Sequence, residues 1–415
     1  MKRKLIILLM IFAFQFGTAQ EANCADKESK LAKYLSENNY VKAKEVWNDI
    51  KMTCLTSSEK SLQLGLQLQQ YNIEIASRED KEKEVREILG IYKLYDKTFP
   101  NNSNGNFEKS AMALYLNKVG TNNEIYSLLD QAFELQKKTF QDPEAIFVYL
   151  QLYVEKYKAE KSTITIDNLF SKYIGVISLI EMNKETVPAN QEIYDRVLVS
   201  MESLMKDFLV CENIGSHAKA NFQNKINDIN WLQSVAKMLS VSCKKVPIFE
   251  SIAAELHSKK PSGKSAYYLA TYYLNTIKQD KAIDFFSESV KLESDKMTKA
   301  TTAYTIASIL SITDKEKSKE MVLTAIENNP TNGKYFIFLG NLYANAVSEC
   351  GTNDLEKNAI YKLASDTVLK AITVEPRLKG TSEELSKSYL QKIITTKSNT
   401  KSVKIGCWIN QTVIL

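Results

Sequence analysis

Apolar residues recur at three- and four-residue spacing along most of the chain, the period that puts side chains on one face of an α-helix. Short polar breaks interrupt this pattern at Glu37-Asn38-Asn39, Asn101 to Asn106, Gly120 to Asn123 and Lys259 to Gly263. All seven prolines, Pro100, Pro143, Pro188, Pro247, Pro261, Pro330 and Pro376, fall between the periodic stretches, where a residue without an amide donor costs least. Period-two alternation is absent until the last fifteen residues. The pattern predicts an all-α chain of antiparallel helical hairpins, closed by a short β-hairpin over 399–415 that turns at Asn410-Gln411.

The pattern is most regular from Lys264 to Pro376. Leu269, Ala270 and Tyr273 take the inward positions of one helix, and Ala282 and Phe286 those of its partner. A second hairpin has Ala307, then Val322, Ala325 and Pro330. The third reads Phe336-x-x-Leu339-Gly340-x-x-Tyr343, then Ala364, Val368, Ala371 and Pro376. Small residues at recurring positions let two helices approach closely, while large ones fill the groove of the next hairpin. This is the packing code of the tetratricopeptide (TPR) unit, and it predicts a TPR-like α-solenoid over 264–398. The third hairpin carries an extra polar stretch near 348–358, which suits either a loop on one face or a lengthened helix and turn held by Cys350. Upstream, over 20–258, the repeat is degenerate. Leu31, Leu35, Ala43, Trp47 and Ile50 fit one hairpin, and Ala145 to Tyr157 and Ile166 to Met182 fit single helices. Residues 259–263 are the best candidate for a bend or linker between the two regions.

Residues 1–19 read as a signal peptide. Lys2, Arg3 and Lys4 precede the apolar run Leu5 to Phe14, and Gly17 and Ala19 are spaced as a signal peptidase prefers. The apolar core is too short to span a bilayer, and Glu21-Ala22-Asn23 before Cys24 is no lipobox. The expectation is an exported protein with no transmembrane segment after cleavage, most naturally periplasmic, with outer-membrane association or secretion as alternatives. Without the leader, positive and negative charges nearly balance, and arginine is confined to Arg78, Arg86, Arg196 and Arg377. Phosphate and base recognition favour the arginine fork, so no nucleic-acid partner is expected.

The placement of the six cysteines narrows their pairing. Cys24 and Cys54 bracket one helical hairpin, and Cys211 and Cys243 bracket another, so each pair sits where two antiparallel helices bring their ends together. Cys350, in the extra stretch, and Cys407, near the C-terminus, remain. Three disulfides are expected. Buried free thiols and a metal site are the competing uses, and zinc has little support without a Cys-x-x-Cys motif and with only His217 and His257 to help.

No phosphate loop, Gly-x-Ser-x-Gly elbow or His-Glu-x-x-His motif occurs. His217 sits in what reads as a polar turn, Gly215-Ser216-His217, and His257 near the end of a helix before Pro261. Surface or capping roles are expected for both. No catalytic residue, cofactor or metal is assigned, and the chain reads as non-enzymatic.

The segments SAYYLATYYLNTIKQDKAIDFFSESVKLES, AIENNPTNGKYFIFLGNLYANAVSECG, KLASDTVLKAITVEP and GCWINQTVIL resemble exported tetratricopeptide-repeat proteins of Bacteroidetes, as do QKKTFQDPEAIFVYLQLYVEKY and the stretch from Cys211 to Cys243. The resemblance implies an envelope location and protein binding. It points to a scaffold that binds another envelope protein or a peptide segment of one. Tyr267, Tyr272, Tyr335 and Asn341 are the candidate contacts, because the packing code leaves them free. The alternative is a helical-repeat protein that binds envelope glycans or nutrients; it would want exposed tryptophans, whereas Trp47 and Trp231 lie at core spacing.

Overall fold

The computed structural model describes residues 23–56, 58–102, 105–160, 162–394 and 402–415; the expected leader lies outside them. The chain forms two compact units, meeting in sequence at Asp207 and Phe208.

The first unit contains α1 (23–36), α2 (Tyr40–Thr53), α3 (Glu59–Ile75), α4 (Lys81–Thr98), α5 (Asn106–Asn117), α6 (Asn122–Leu135), α7 (Pro143–Ala159), α8 (Ile166–Thr186) and α9 (Gln191–Met205). Most of these helices pack on their neighbours in sequence, as antiparallel hairpins joined by short turns must, while α9 packs more on α7 than on α8. The turns carry their own start signals. Asn39 caps α2, Asp142 caps α7 with Pro143 in its first turn, and Thr165 forms a capping box with Asn168 at α8. The expected first hairpin is present: Leu31, Leu35, Ala43, Trp47 and Ile50 are buried together. Trp47 lies against Gly65 of α3, where an added Cβ would fall 2.1 Å from the indole ring. Cys24 and Cys54 close the open end of this hairpin with Cα atoms 5.6 Å apart.

The second unit contains α10 (Cys211–Lys225), α11 (Ile229–Ser242), α12 (Pro247–Lys259), α13 (Gly263–Asn275), α14 (Gln279–Leu292), α15 (Lys296–Leu310), α16 (Lys315–Asn328), α17 (Gly333–Ala344), α18 (Val347–Cys350), α19 (Asp354–Val374), α20 (Lys379–Leu390), β1 (Ser402–Ile405) and β2 (Gln411–Ile414). Helices α13/α14, α15/α16 and α17/α19 are successive hairpins of a TPR-like α-solenoid, and α20 packs on α19. Two helices meet closely at Gly340. A Cβ on Gly340 would meet Val368 at 2.4 Å and the Ala364 carbonyl at 2.9 Å, so α17 and α19 touch backbone to backbone there. Leu269, Ala270, Tyr273, Ala282, Phe286, Ala325, Leu339, Tyr343, Ala364 and Ala371 are buried. Phe336 is only half-buried, and Pro330 and Pro376 are exposed. The two prolines act as breakers, Pro330 in the turn after α16 and Pro376 opening a 3₁₀ turn after α19. Residues 259–263 are a tight turn inside this unit, where Ser262 and Ser265 form the capping box of α13.

Two further disulfides lie in this unit. Cys211–Cys243 ties the start of α10 to the end of α11, and Cys350–Cys407 ties α18 to the tail, with Cα separations of 5.1 and 5.4 Å. The extra stretch is the short α18, a turn at Gly351 and the first turns of a lengthened α19. The strands pair antiparallel in the register Val403 to Val413 and Ile405 to Gln411. The turn comes earlier than expected, over 406–410, with Cys407 and Asn410 in left-handed backbone. Val403, Ile405, Ile409 and Val413 are buried. Lys319 donates to the Trp408 and Ile409 carbonyls, at 3.0 and 2.9 Å, and the Trp408 ring stacks on Tyr343 with centroids 6.1 Å apart. Trp408 is thus a docking anchor for the tail.

Candidate protein-binding face

Helices α13, α15 and α17 are the first helices of the three regular hairpins. Their sequences, GKSAYYLATYYLN, KMTKATTAYTIASIL and GKYFIFLGNLYA, contain no acidic residue, and their only bases are Lys264, Lys296, Lys299 and Lys334 near the N-terminal ends. The second helices α14, α16 and α19 carry the usual mixture of charges.

Helical spacing places Lys264, Tyr267, Thr271 and Leu274 on one face of α13. The same period aligns Met297, Thr301, Tyr304 and Ser308 on α15, and Lys334, Ile337, Phe338 and Asn341 on α17. Tyr267, Leu274, Met297, Thr301 and Ser308 are exposed; Tyr304, Ile337, Phe338 and Asn341 are half-buried. The Tyr304 ring bridges two hairpins, with centroids 5.0 Å from Tyr335 and 5.3 Å from Phe338. At the far ends of α13 and α15 stand Ile277 and Ile312, 93% and 87% exposed.

Ile277 also has an unfavourable backbone. Its φ is +62°, and Lys278 N–H reaches back to the Tyr273 carbonyl at 2.9 Å, closing the helix in the motif that ordinarily uses glycine. A β-branched residue in that region is an outlier. Sequence and backbone together put a large apolar side chain in water at a position that disfavours it.

The expected contacts divide. Tyr267 is exposed and belongs to this face. Tyr272 and Tyr335 do not: both are buried, because the spacing that leaves them out of their own hairpin turns them toward a neighbour, Tyr272 edge-on to Phe249 at 6.0 Å and Tyr335 against Tyr304. Asn341 is half-buried and accepts the Tyr389 hydroxyl. Met297, Tyr304, Ile277 and Ile312 escaped the sequence reading, although the absence of Asp and Glu from the three helices is visible in the sequence.

Other polar clusters are structural. His217 is buried inside α10, not in a turn; Trp231 Nε1 donates to its Nε2 at 3.2 Å, and Asn221 lies 3.3 Å from Nδ1. His257 stands between Ser265 Oγ, at 2.9 Å from Nδ1, and Glu288 Oε1, at 3.3 Å from Nε2. The triplet has the membership of a hydrolytic triad, but Ser265 is 1% exposed and its hydroxyl serves the turn into α13, so no substrate reaches it. Glu349, Cys350 and Cys407 bring metal-type donors together, yet the two sulfurs are bonded to each other and Glu349 takes Lys315 and Trp408 Nε1.

In the first unit, Lys172 lies over the rings of Phe133, Tyr149 and Tyr153 and donates to Asp130 at 3.0 Å. Burial works against the Asp130 carboxylate, but hydrogen bonds from Tyr149 and Lys172 outweigh it and hold the group below its ordinary range. The network ties α6, α7 and α8 together. Glu108 of α5 is buried and accepts the amides of Gln141, at 2.7 Å, and Asp142, at 3.3 Å, fixing the loop into α7. Its burial, reinforced by the Asp142 charge, pushes the carboxyl up to about 7, although the two amides and Lys109 oppose the shift.

Three disulfides suit an oxidising compartment. Among the described residues no helix is long and apolar enough to cross a membrane.

No family model matches the chain. No curated protein matches it either. Solved structures similar to the chain include the following two. The crystal structure of the APC/C hetero-tetramer Cut9-Hcn1 has 11% identity over 90% of this chain and 91% of that chain, with a TM-score of 0.32. The structure of Naa15/Naa10 bound to HypK-THB has 14% identity over 91% of this chain and 69% of that chain, with a TM-score of 0.23. At these values the likeness bears on neither activity nor partner.

Proposed function

We propose that this chain is a non-enzymatic protein-binding scaffold of the bacterial cell envelope, and that it holds a segment of another envelope protein against the first helices of its second unit. The observation that carries the reading is the run of exposed apolar and uncharged polar residues on α13, α15 and α17, helices that contain no acidic residue. Exposed apolar residues gathered on one face mark an interaction surface more often than scattered ones do, and water-facing helices of a soluble chain ordinarily carry both signs of charge. Export to the periplasm, expected from residues 1–19, agrees with a fold held by three disulfides. Glycan binding has less support: Trp47 and Trp231 are buried, and Trp408 is occupied by docking of the tail.

The test is chemical crosslinking in intact cells followed by purification of the wild-type protein and of a Tyr267→Glu/Met297→Glu variant. One envelope protein recovered with the wild type and lost with the variant is expected. Recovery of the same proteins with both would move the binding site elsewhere.

A further inference from the structure

We infer that the Cys350–Cys407 disulfide is a thiol–disulfide exchange site, at which a protein dithiol of the Cys-x-x-Cys kind reduces the pair and loosens the C-terminal strands from the solenoid. The inference does not depend on the binding-face reading above. The three disulfides are placed differently. Cys24–Cys54 and Cys211–Cys243 each close one helical hairpin, with sequence separations of 30 and 32, so the packing of two helices keeps both ends near each other whether or not the bond is made. Cys350–Cys407 spans 57 residues and joins α18, a helix of four residues, to the turn of a two-stranded sheet. A two-stranded hairpin is marginal by itself, so the placement of the tail depends on this bond more than either helical hairpin depends on its own.

The two ends of the bond also differ in access. Cys350 is 2% exposed, whereas Cys407 is exposed in the turn over 406–410. Cys211 is exposed as well, but Cys407 alone among the six cysteines has left-handed backbone, with φ +59°. Residues with a Cβ rarely adopt that conformation, and opening the bond lets it relax. Exposed and strained disulfides are the ones that exchange readily. A thiolate of the partner attacks Cys407 Sγ, the bond between the two cysteines breaks, and its electron pair leaves on Cys350 Sγ, which takes a proton from water. The partner's second thiol then attacks the mixed disulfide, Cys407 departs as a thiolate and is protonated, and the partner keeps a disulfide of its own. Two electrons have passed from the partner to this pair.

Reduction leaves the turn held by polar contacts at its edge: Trp408 Nε1 on Glu349 at 3.2 Å, Gln411 on the Tyr343 hydroxyl at 3.2 Å, and Lys319 on two carbonyls. Loosening the tail bares Tyr343 at the end of α17 and the buried Val403, Ile405, Ile409 and Val413, apolar surfaces that the oxidised form covers.

The test incubates the oxidised full mature chain across a series of dithiothreitol concentrations, quenches in acid, alkylates free thiols and maps them by peptide mass spectrometry. Cys350 and Cys407 are expected to be half-reduced at a concentration at least about tenfold below that needed for either hairpin disulfide. Amide exchange in β1 and β2 is expected to quicken over the same range while α13 to α16 keep their protection. Thioredoxin with its second active-site cysteine replaced by serine stops the reaction at the mixed disulfide, which is expected on Cys407. Reduction of all three bonds together, earlier reduction of a hairpin bond, strands that exchange no faster once the pair is reduced, or trapping at any cysteine but Cys407 or at none would overturn the inference.

Discussion

Replacing Glu108 by Gln gives a stability change whose sign depends on pH. Glu108 is 8% exposed and its two amide donors come from one loop. Its carboxyl lies at about 7 against an ordinary 4.5, so the native state holds a proton that the unfolded state has already released. Stability from this group is therefore fully present below about pH 4.5, declines as pH rises toward 7, and is absent above it. The gap corresponds to about 3 kcal/mol. The glutamine side chain keeps an oxygen to accept the Gln141 and Asp142 amides but buries an extra NH₂ group, at a cost of about 1 kcal/mol. Glu108→Gln should consequently stabilise the first unit by about 2 kcal/mol at pH 8 and be neutral or slightly destabilising at pH 4.5. Because the chain has two units, a single global unfolding free energy is a poor readout. Hydrogen exchange of the peptide spanning 136–146, measured for both proteins from pH 4.5 to 8, follows the affected loop directly once intrinsic exchange rates are divided out. A difference between the proteins that does not change with pH, or that favours the wild type at pH 8, would refute the reasoning.

Three further outcomes are expected. Gly340→Ala should lose about 1–3 kcal/mol in hydrogen-exchange protection of α17 and α19, because the new Cβ strikes Val368 and the Ala364 carbonyl, whereas Gly380→Ala, with nothing within 4 Å, should gain about 0.5–1 kcal/mol in α20 from helix propensity. Cys350→Ser/Cys407→Ser opens a loop of 57 residues, weakens the closed state by about 4 kcal/mol, and should speed amide exchange in β1 and β2 while α13 to α16 keep their protection. Ile277→Gly removes the left-handed penalty and should raise hydrogen-exchange protection of α13 and α14 by about 1 kcal/mol, with partner recovery reduced.

The helices, their turns and the pairs Cys24–Cys54 and Cys211–Cys243 were legible because each is local: a hairpin brings its own ends together, and spacing of three and four reports one face, while Cys350–Cys407 followed only as the remaining pair. His217 was not legible. Gly215 and Ser216 read as a turn, yet burial of Ile214, Gly215, His217 and Ala218 within the packed unit overrides their weak helix preference. Tyr272 and Tyr335 were misplaced for a related reason. The code describes packing inside a hairpin, and these side chains are buried by contacts between hairpins. The left-handed backbone of Ile277 has no sequence signal at all, since that position is ordinarily marked by glycine. The boundary at Asp207 and Phe208 lacks the Gly- and Pro-rich composition that drew attention to 259–263.

The most direct test of the binding face is site-specific photo-crosslinking in living cells. A photoreactive amino acid is placed at Thr301 or Ser308 on the face, and at Ser287 or Glu320, exposed on second helices. One discrete adduct with the same envelope protein is expected from Thr301 and Ser308 and none from Ser287 and Glu320. Adducts of equal yield from all four positions, or from the second helices alone, would contradict it.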